Sequence, residues 1–167
     1  GSATVSVGII GHGTGTSTSE ISKVTLDGPD GVTLSGNITT GDYSDAAVDI
    51  TGPVTLGAGI TIDTAETNND GTITFNSTAT INGANTLTLN TDTGAVALQG
   101  AIGAGTAAGI GNLDINQSGG NATIEVANIG SADSIGVTGT VNIGNVATTS
   151  ITLDGTVYHF DGNAELE

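Results

Sequence analysis

The chain has 167 residues, among them 28 glycines, one lysine (Lys23), no arginine and 17 acids, for a formal charge of −16. With no cysteine there is neither a disulfide framework nor a thiolate zinc site, and glycines that miss every third position exclude collagen. One lysine cannot supply the phosphate contacts of a nucleic-acid ligand, and no apolar run approaches the roughly 18 residues of a membrane span.

Disorder fits poorly too. Charged residues are only 11% of the chain and hydrophobic ones 36%, enough to bury if the apolar positions recur regularly. Threonine (29 residues) and glycine together fill about a third of the sequence. Gly1-Ser2 and Leu166-Glu167 read as cloning scars, and residues 1–167 as one repetitive segment of something longer.

From the first third onward the chain repeats one small unit, two aliphatic residues flanking a polar or small one. It begins with Val24-Thr25-Leu26, Val32-Thr33-Leu34, Val48-Asp49-Ile50, Val54-Thr55-Leu56 and Ile60-Thr61-Ile62. It continues through Ile73-Thr74-Phe75, Ala79-Thr80-Ile81, Leu87-Thr88-Leu89, Val96-Ala97-Leu98 and Leu113-Asp114-Ile115. The last units are Ile124-Glu125-Val126, Ile135-Gly136-Val137, Val141-Asn142-Ile143 and Ile151-Thr152-Leu153. A period of two predicts short strands with the aliphatic pair on one face. Gly, Asn and Asp between units supply turn chemistry. No sustained 3.6 period occurs, so helix content should be near zero.

The middle residues fall into three interleaved series sharing a period of about 26 residues. One runs 25, 49, 74, 97, 125, 152; a second 61, 88, 114, 142; a third 33, 55, 80, near 103, and 136. Three short strands per period, stacked in parallel, would turn the aliphatic pairs into continuous columns. The expected architecture is all-β: a right-handed parallel β-helix of triangular section with about six coils. Sandwiches and meander barrels need longer strands. A longer repeat of roughly 120 residues is suggested by Ala3–Gly11 against Ala122–Gly130 and by Val24–Gly28 against Ile151–Gly155.

Segments such as Ile50-Thr51-Gly52-Pro53-Val54-Thr55-Leu56, Leu87-Thr88-Leu89-Asn90-Thr91-Asp92-Thr93-Gly94 and Val137-Thr138-Gly139-Thr140-Val141-Asn142-Ile143-Gly144 resemble the large repetitive exoproteins of bacteria. These are the filamentous-haemagglutinin-like and β-strand-repeat adhesins, and the pattern similarity covers residues 24–162. The resemblance implies a secreted or surface-displayed β-helical rod for attachment, aggregation or display, without catalytic residues. Its partners would be neighbouring repeats of the parent chain and host or cell-surface glycans, with end-to-end self-association through the open ends. The family's secretion motif does not occur in these residues.

Enzymatic activity is not expected. A glycosidase needs two carboxylates about 5–9.5 Å apart, whereas Asp49 and Glu125 share a series three coils apart, roughly 14 Å at the strand spacing. Asp114 has Thr88 and Asn142 as its neighbours in series. A lyase base is missing with arginine. His12 and His159 read as solvated surface residues, His159 near the frayed end.

The acids of the turn after the second series are the candidate metal ligands. Asp42 and Asp45 lie in one coil, Asp63, Glu66 and Asp70 in the next, and Asp92 in the one after. Stacked carboxylates repel, and Ca²⁺ with oxygen ligands would relieve that. Asp63, Glu66 and Asp70 form the richest loop, but it lacks the EF-hand pattern, and an acidic turn that keeps a rod soluble explains it as well. The expectation is therefore no required cofactor, with Ca²⁺ as a candidate ligand. For sugar recognition only four aromatics are present, Tyr43, Phe75, Tyr158 and Phe160, and Phe75 should point inward.

Overall fold

The computed structural model describes residues 3–11, 21–65, 70–104 and 109–167. Among them there are strands, bridges and turns but no helix. Strand β1 (Thr4–Val7) opens the fold. The first full coil holds β2 (Lys23–Asp27), β3 (Gly31–Leu34) and β4 (Ile38–Thr39). The second holds β5 (Ala47–Thr51), β6 (Val54–Leu56) and β7 (Ile60–Asp63), the third β8 (Thr72–Phe75), β9 (Ile81–Asn82) and β10 (Leu87–Asn90). Two strands mark each later coil: β11 (Val96–Leu98) and β12 (Leu113–Ile115), β13 (Thr123–Val126) and β14 (Val141–Ile143), β15 (Ser150–Leu153) and β16 (Ala164–Leu166).

These strands form three sheets in which every ladder is parallel. Face A is ordered β1-β3-β6-β9, face B β4-β7-β10-β12-β14-β16, and face C β2-β5-β8-β11-β13-β15. Each strand pairs with its equivalent one coil away, never with its neighbour in sequence, as in a solenoid. The protein is a parallel β-solenoid of about six coils.

Two of the three sequence series are the real ladders. On face C, Thr25, Asp49, Thr74, Ala97, Glu125 and Thr152 lie one above another. On face B, Thr61, Thr88, Asp114 and Asn142 do the same. The flanking aliphatics stack in register: Val24, Val48, Ile73, Val96, Ile124 and Ile151 form one column, and Ile38, Ile62, Leu89, Ile115 and Ile143 another, which Leu166 extends at the exposed last coil. Leu166, read from sequence as a scar, takes a register position beside Ile143.

The third series is corrected by the structure. Thr55 pairs with Asn82, not with Thr80, because a turn closed by Ala79 N–H on Asn76 O delays the strand. Face A then narrows to single bridges through Ile81, Ile102, Ile129 and Tyr158. Val137 leaves that line and bridges Ile110 and Phe160 instead, giving the last three coils an extra corner. The insertions that create it turn on Gly103 (φ 64°) and Gly130 (φ 76°), left-handed conformations natural to glycine. The long repeat is only half structural. Val24–Gly28 and Ile151–Gly155 begin on the same face, but Ala3–Gly11 starts on face A and Ala122–Gly130 on face C. An aliphatic pair of period two suits any face, so likeness of sequence does not fix position.

The interior is one continuous apolar cluster from Val7 to Ile143. Its middle members, including Ile62, Ile73, Phe75, Leu89 and Ile115, are fully buried, and each such side chain contributes about 1.5–3 kcal/mol relative to exposure. Burial fades at the C-terminal coil, where Leu153 is 45% and Leu166 47% exposed. The corner between faces B and C is different, because it buries polar residues: Thr40, Thr64, Thr91 and Asn116. Thr64 Oγ1 donates to Gly71 O at 3.0 Å, and Thr91 Oγ1 to Gly94 O at 2.6 Å, closing each turn from within.

Candidate functional site

The acidic turns follow face B, as expected from the sequence. Asp63 closes β7 and its Oδ1 accepts the Ala65 N–H at 3.0 Å, a local turn bond. Asp70 reaches the next coil: its Oδ2 accepts the Thr93 N–H at 3.3 Å and the Thr93 hydroxyl. Its Oδ1 is shielded from solvent without a partner among the described residues. Glu66 lies outside the described residues. Among the described residues, no three His, Asp or Glu side chains come together as a metal-holding group.

Other candidate residues are dispersed. Asp49 and Glu125 occupy one outward column with Thr74 and Ala97 between them. Asp114 lies between Thr88 and Asn142, and Asn142 Nδ2 donates to Asp114 Oδ1 at 2.7 Å. His12 is outside the described residues. His159 is not frayed: its N–H donates to Ile129 O at 2.8 Å, its carbonyl accepts from Gly136 N, and Nδ1 lies 3.2 Å from Ser131 O.

The aromatic rings are mostly committed to the fold. Phe75 is fully buried, and Tyr158 and Phe160 pack against the core. The Tyr158 hydroxyl accepts the Gly155 N–H at 2.6 Å and donates to Val126 O at 3.1 Å. Tyr43 is the exposed ring, at 38%. Stacking on a sugar would fall to that residue.

Asparagine is the residue class that sequence reasoning missed. Asn37 Oδ1 accepts from Thr61 N, Asn112 Oδ1 from Thr140 N, and Asn128 Oδ1 from Thr156 N and Val157 N. Each bond joins one coil to the next at a corner, where backbone ladders stop. The available signal was the recurrence of Asn just before or after an aliphatic pair.

The outer surface of face C holds the one ion pair among the described residues. Lys23 Nζ lies 2.7 Å from Asp49 Oδ2. The Lys23 ammonium is held above its ordinary value of 10.5, first by that hydrogen bond and then by the Asp49 charge, with Asp45 adding a smaller push against the effect of burial. Further along the same face, small residues leave a recess of about 250 Å³ floored by Ala95 and Ala97 and edged by Thr123, Glu125, Ser150 and Thr152.

These features define a class, the parallel β-solenoid, with no helix among the described residues long and apolar enough to cross a membrane. No protein-family model, curated protein or solved structure matches the chain.

Proposed function

We propose that this chain is a structural segment of an extracellular, adhesin-like bacterial rod, giving reach and display for attachment or aggregation. The observation that carries the reading is the stack of parallel coils whose end strands, among the described residues, are paired on one side only. At one end β1 and β2, and at the other β15 and β16, are the outermost strands of their sheets. Such edges accept further coils. A solenoid gains length linearly, about 4.8 Å per coil, so six coils advance roughly 30 Å along the axis. Neighbouring repeats of the parent chain are the natural continuation, and end-to-end association of separate copies uses the same edges.

The strong negative charge supports the same role, because a rod of one sign repels its neighbours and resists indiscriminate sticking. The outward columns are mostly Thr, Asp, Asn and Glu, polar side chains that water solvates readily. An antibody raised against the protein should label intact, unpermeabilised producing cells; labelling only after permeabilisation overturns the surface assignment. A glycan array separates a passive rod from a lectin. Saturable capture of one glycan would replace the rod with a carbohydrate-binding module.

A further inference from the structure

The Lys23–Asp49 pair defines how a cation lies on face C. Lys23 stands two residues before Thr25 on β2, and Thr25 pairs with Asp49 one coil on. The ammonium therefore crosses diagonally from one outward column to the other and meets the acid at 2.7 Å. Along this face one other acid occupies an Asp49-like position: Glu125, which pairs with Ala97 on β11. The residue two before Ala97 is Ala95. Ala95 thus bears the same relation to Glu125 that Lys23 bears to Asp49.

At this second position the acid is present and the cation is replaced by a methyl group. Beside it lies the recess of about 250 Å³, whose lining includes Ala95, Ala97 and Glu125. Its rim carries Thr123, Ser150 and Thr152 beside Glu125. None of the described residues gives the Glu125 carboxylate a hydrogen bond or an ion pair. We infer that this recess receives the lysine side chain of a cationic partner protein. The methylene stem lies on the two alanines, the ammonium meets Glu125, and the threonine and serine hydroxyls accept its remaining N–H bonds. The chain's own lysine is engaged with Asp49, so the cation comes from outside. A surface of charge −16 draws such a partner in by long-range attraction.

The proposal is independent of the rod reading, since it concerns one lateral site. Its test is an NMR titration of the whole protein, at constant ionic strength, with Nα-acetyl-lysine methylamide. Amide shifts should concentrate at Ala95, Ala97, Thr123, Glu125 and Ser150. Glu125→Gln should weaken binding roughly two- to fivefold, the scale of one exposed ion pair. Ala95→Lys should abolish it by supplying the ammonium from within, with an unchanged circular dichroism spectrum. Equal shifts from the Nε-acetylated ligand, shifts spread evenly over all acids, or a larger response to the arginine analogue would each overturn the assignment.

Discussion

Asn116 fastens its side chain to Thr91 of the preceding coil twice: Oδ1 accepts the Thr91 N–H at 2.7 Å, and Nδ2 donates to Thr91 Oγ1 at 2.8 Å. Both residues are buried, and Asn116 holds φ at 46°. Asparagine tolerates that left-handed backbone, alanine does not. Asn116→Ala should cost about 1–3 kcal/mol for the orphaned groups, with a strain penalty added. Asn116→Gly loses the bonds but keeps the backbone, so it should fall between wild type and alanine in urea denaturation. Equal stability of all three proteins would contradict the buried-ladder account.

The dry columns predict a gradient of sensitivity along the axis. Leu89 is fully buried between Ile62 and Ile115, while Leu153 is 45% exposed in the last coil. Leu89→Ala should lose about 2–5 kcal/mol. Leu153→Ala should lose less than about 1 kcal/mol, because little area leaves water there. Chemical denaturation of the two variants checks the ratio.

Two glycines separate steric need from mere preference. A Cβ on Gly52, whose φ is 94°, would sit 1.9 Å from the Gly28 carbonyl oxygen of the neighbouring coil. Gly52→Ala should therefore destabilise by roughly 2 kcal/mol or more. Gly59 has open space around its Cβ position, and Gly59→Ala should be neutral or gain about 0.4–1 kcal/mol through the unfolded state. Thermal melting of the pair gives the comparison.

The ion pair on face C gives a pH dependence of known sign. A lysine pKa raised in the folded state contributes stability that is complete below the unfolded value and disappears as pH rises through the folded one. The contribution of Lys23 is thus present at pH 7 and lost above about pH 10.5. It is small, since the pair is open to solvent. The difference in melting temperature between wild type and Lys23→Met should narrow to nothing across that window.

The coils are closed by hydrogen bonds and apolar columns, and Asp63 and Asp70 accept protein N–H bonds of their own. The β-type circular dichroism spectrum and the cooperative melt should therefore survive EDTA. Loss of the fold on chelation would instead make a bound cation part of the corner that includes Asp70.

Faces B and C were legible because their units are intact triplets at near-constant spacing, from Val24-Thr25-Leu26 to Ile151-Thr152-Leu153. Face A was legible only at its start, where Thr33 pairs with Thr55 as the spacing implied. Beyond Ile81 it runs on single bridges through Ile102, Ile129 and Tyr158, with no Val, Ile or Leu two residues away to advertise a strand. The acidic corner was legible as composition, but not as geometry. A carboxylate in a turn can bond to its own loop, as Asp63 does, or to the next coil, as Asp70 does, and spacing alone does not distinguish them.

The sequence by itself determined the strand type, the parallel stacking and the inward columns, since period-two aliphatic pairs too short to stand alone have few other ways to leave water. Only the tertiary structure decided which face each unit joins, where the extra corner at Val137 opens, and that Ala95 stands toward Glu125 as Lys23 does toward Asp49. Those outcomes depend on turn lengths and left-handed glycines accumulated over many residues, and on neighbours about 26 positions away that local pattern does not see.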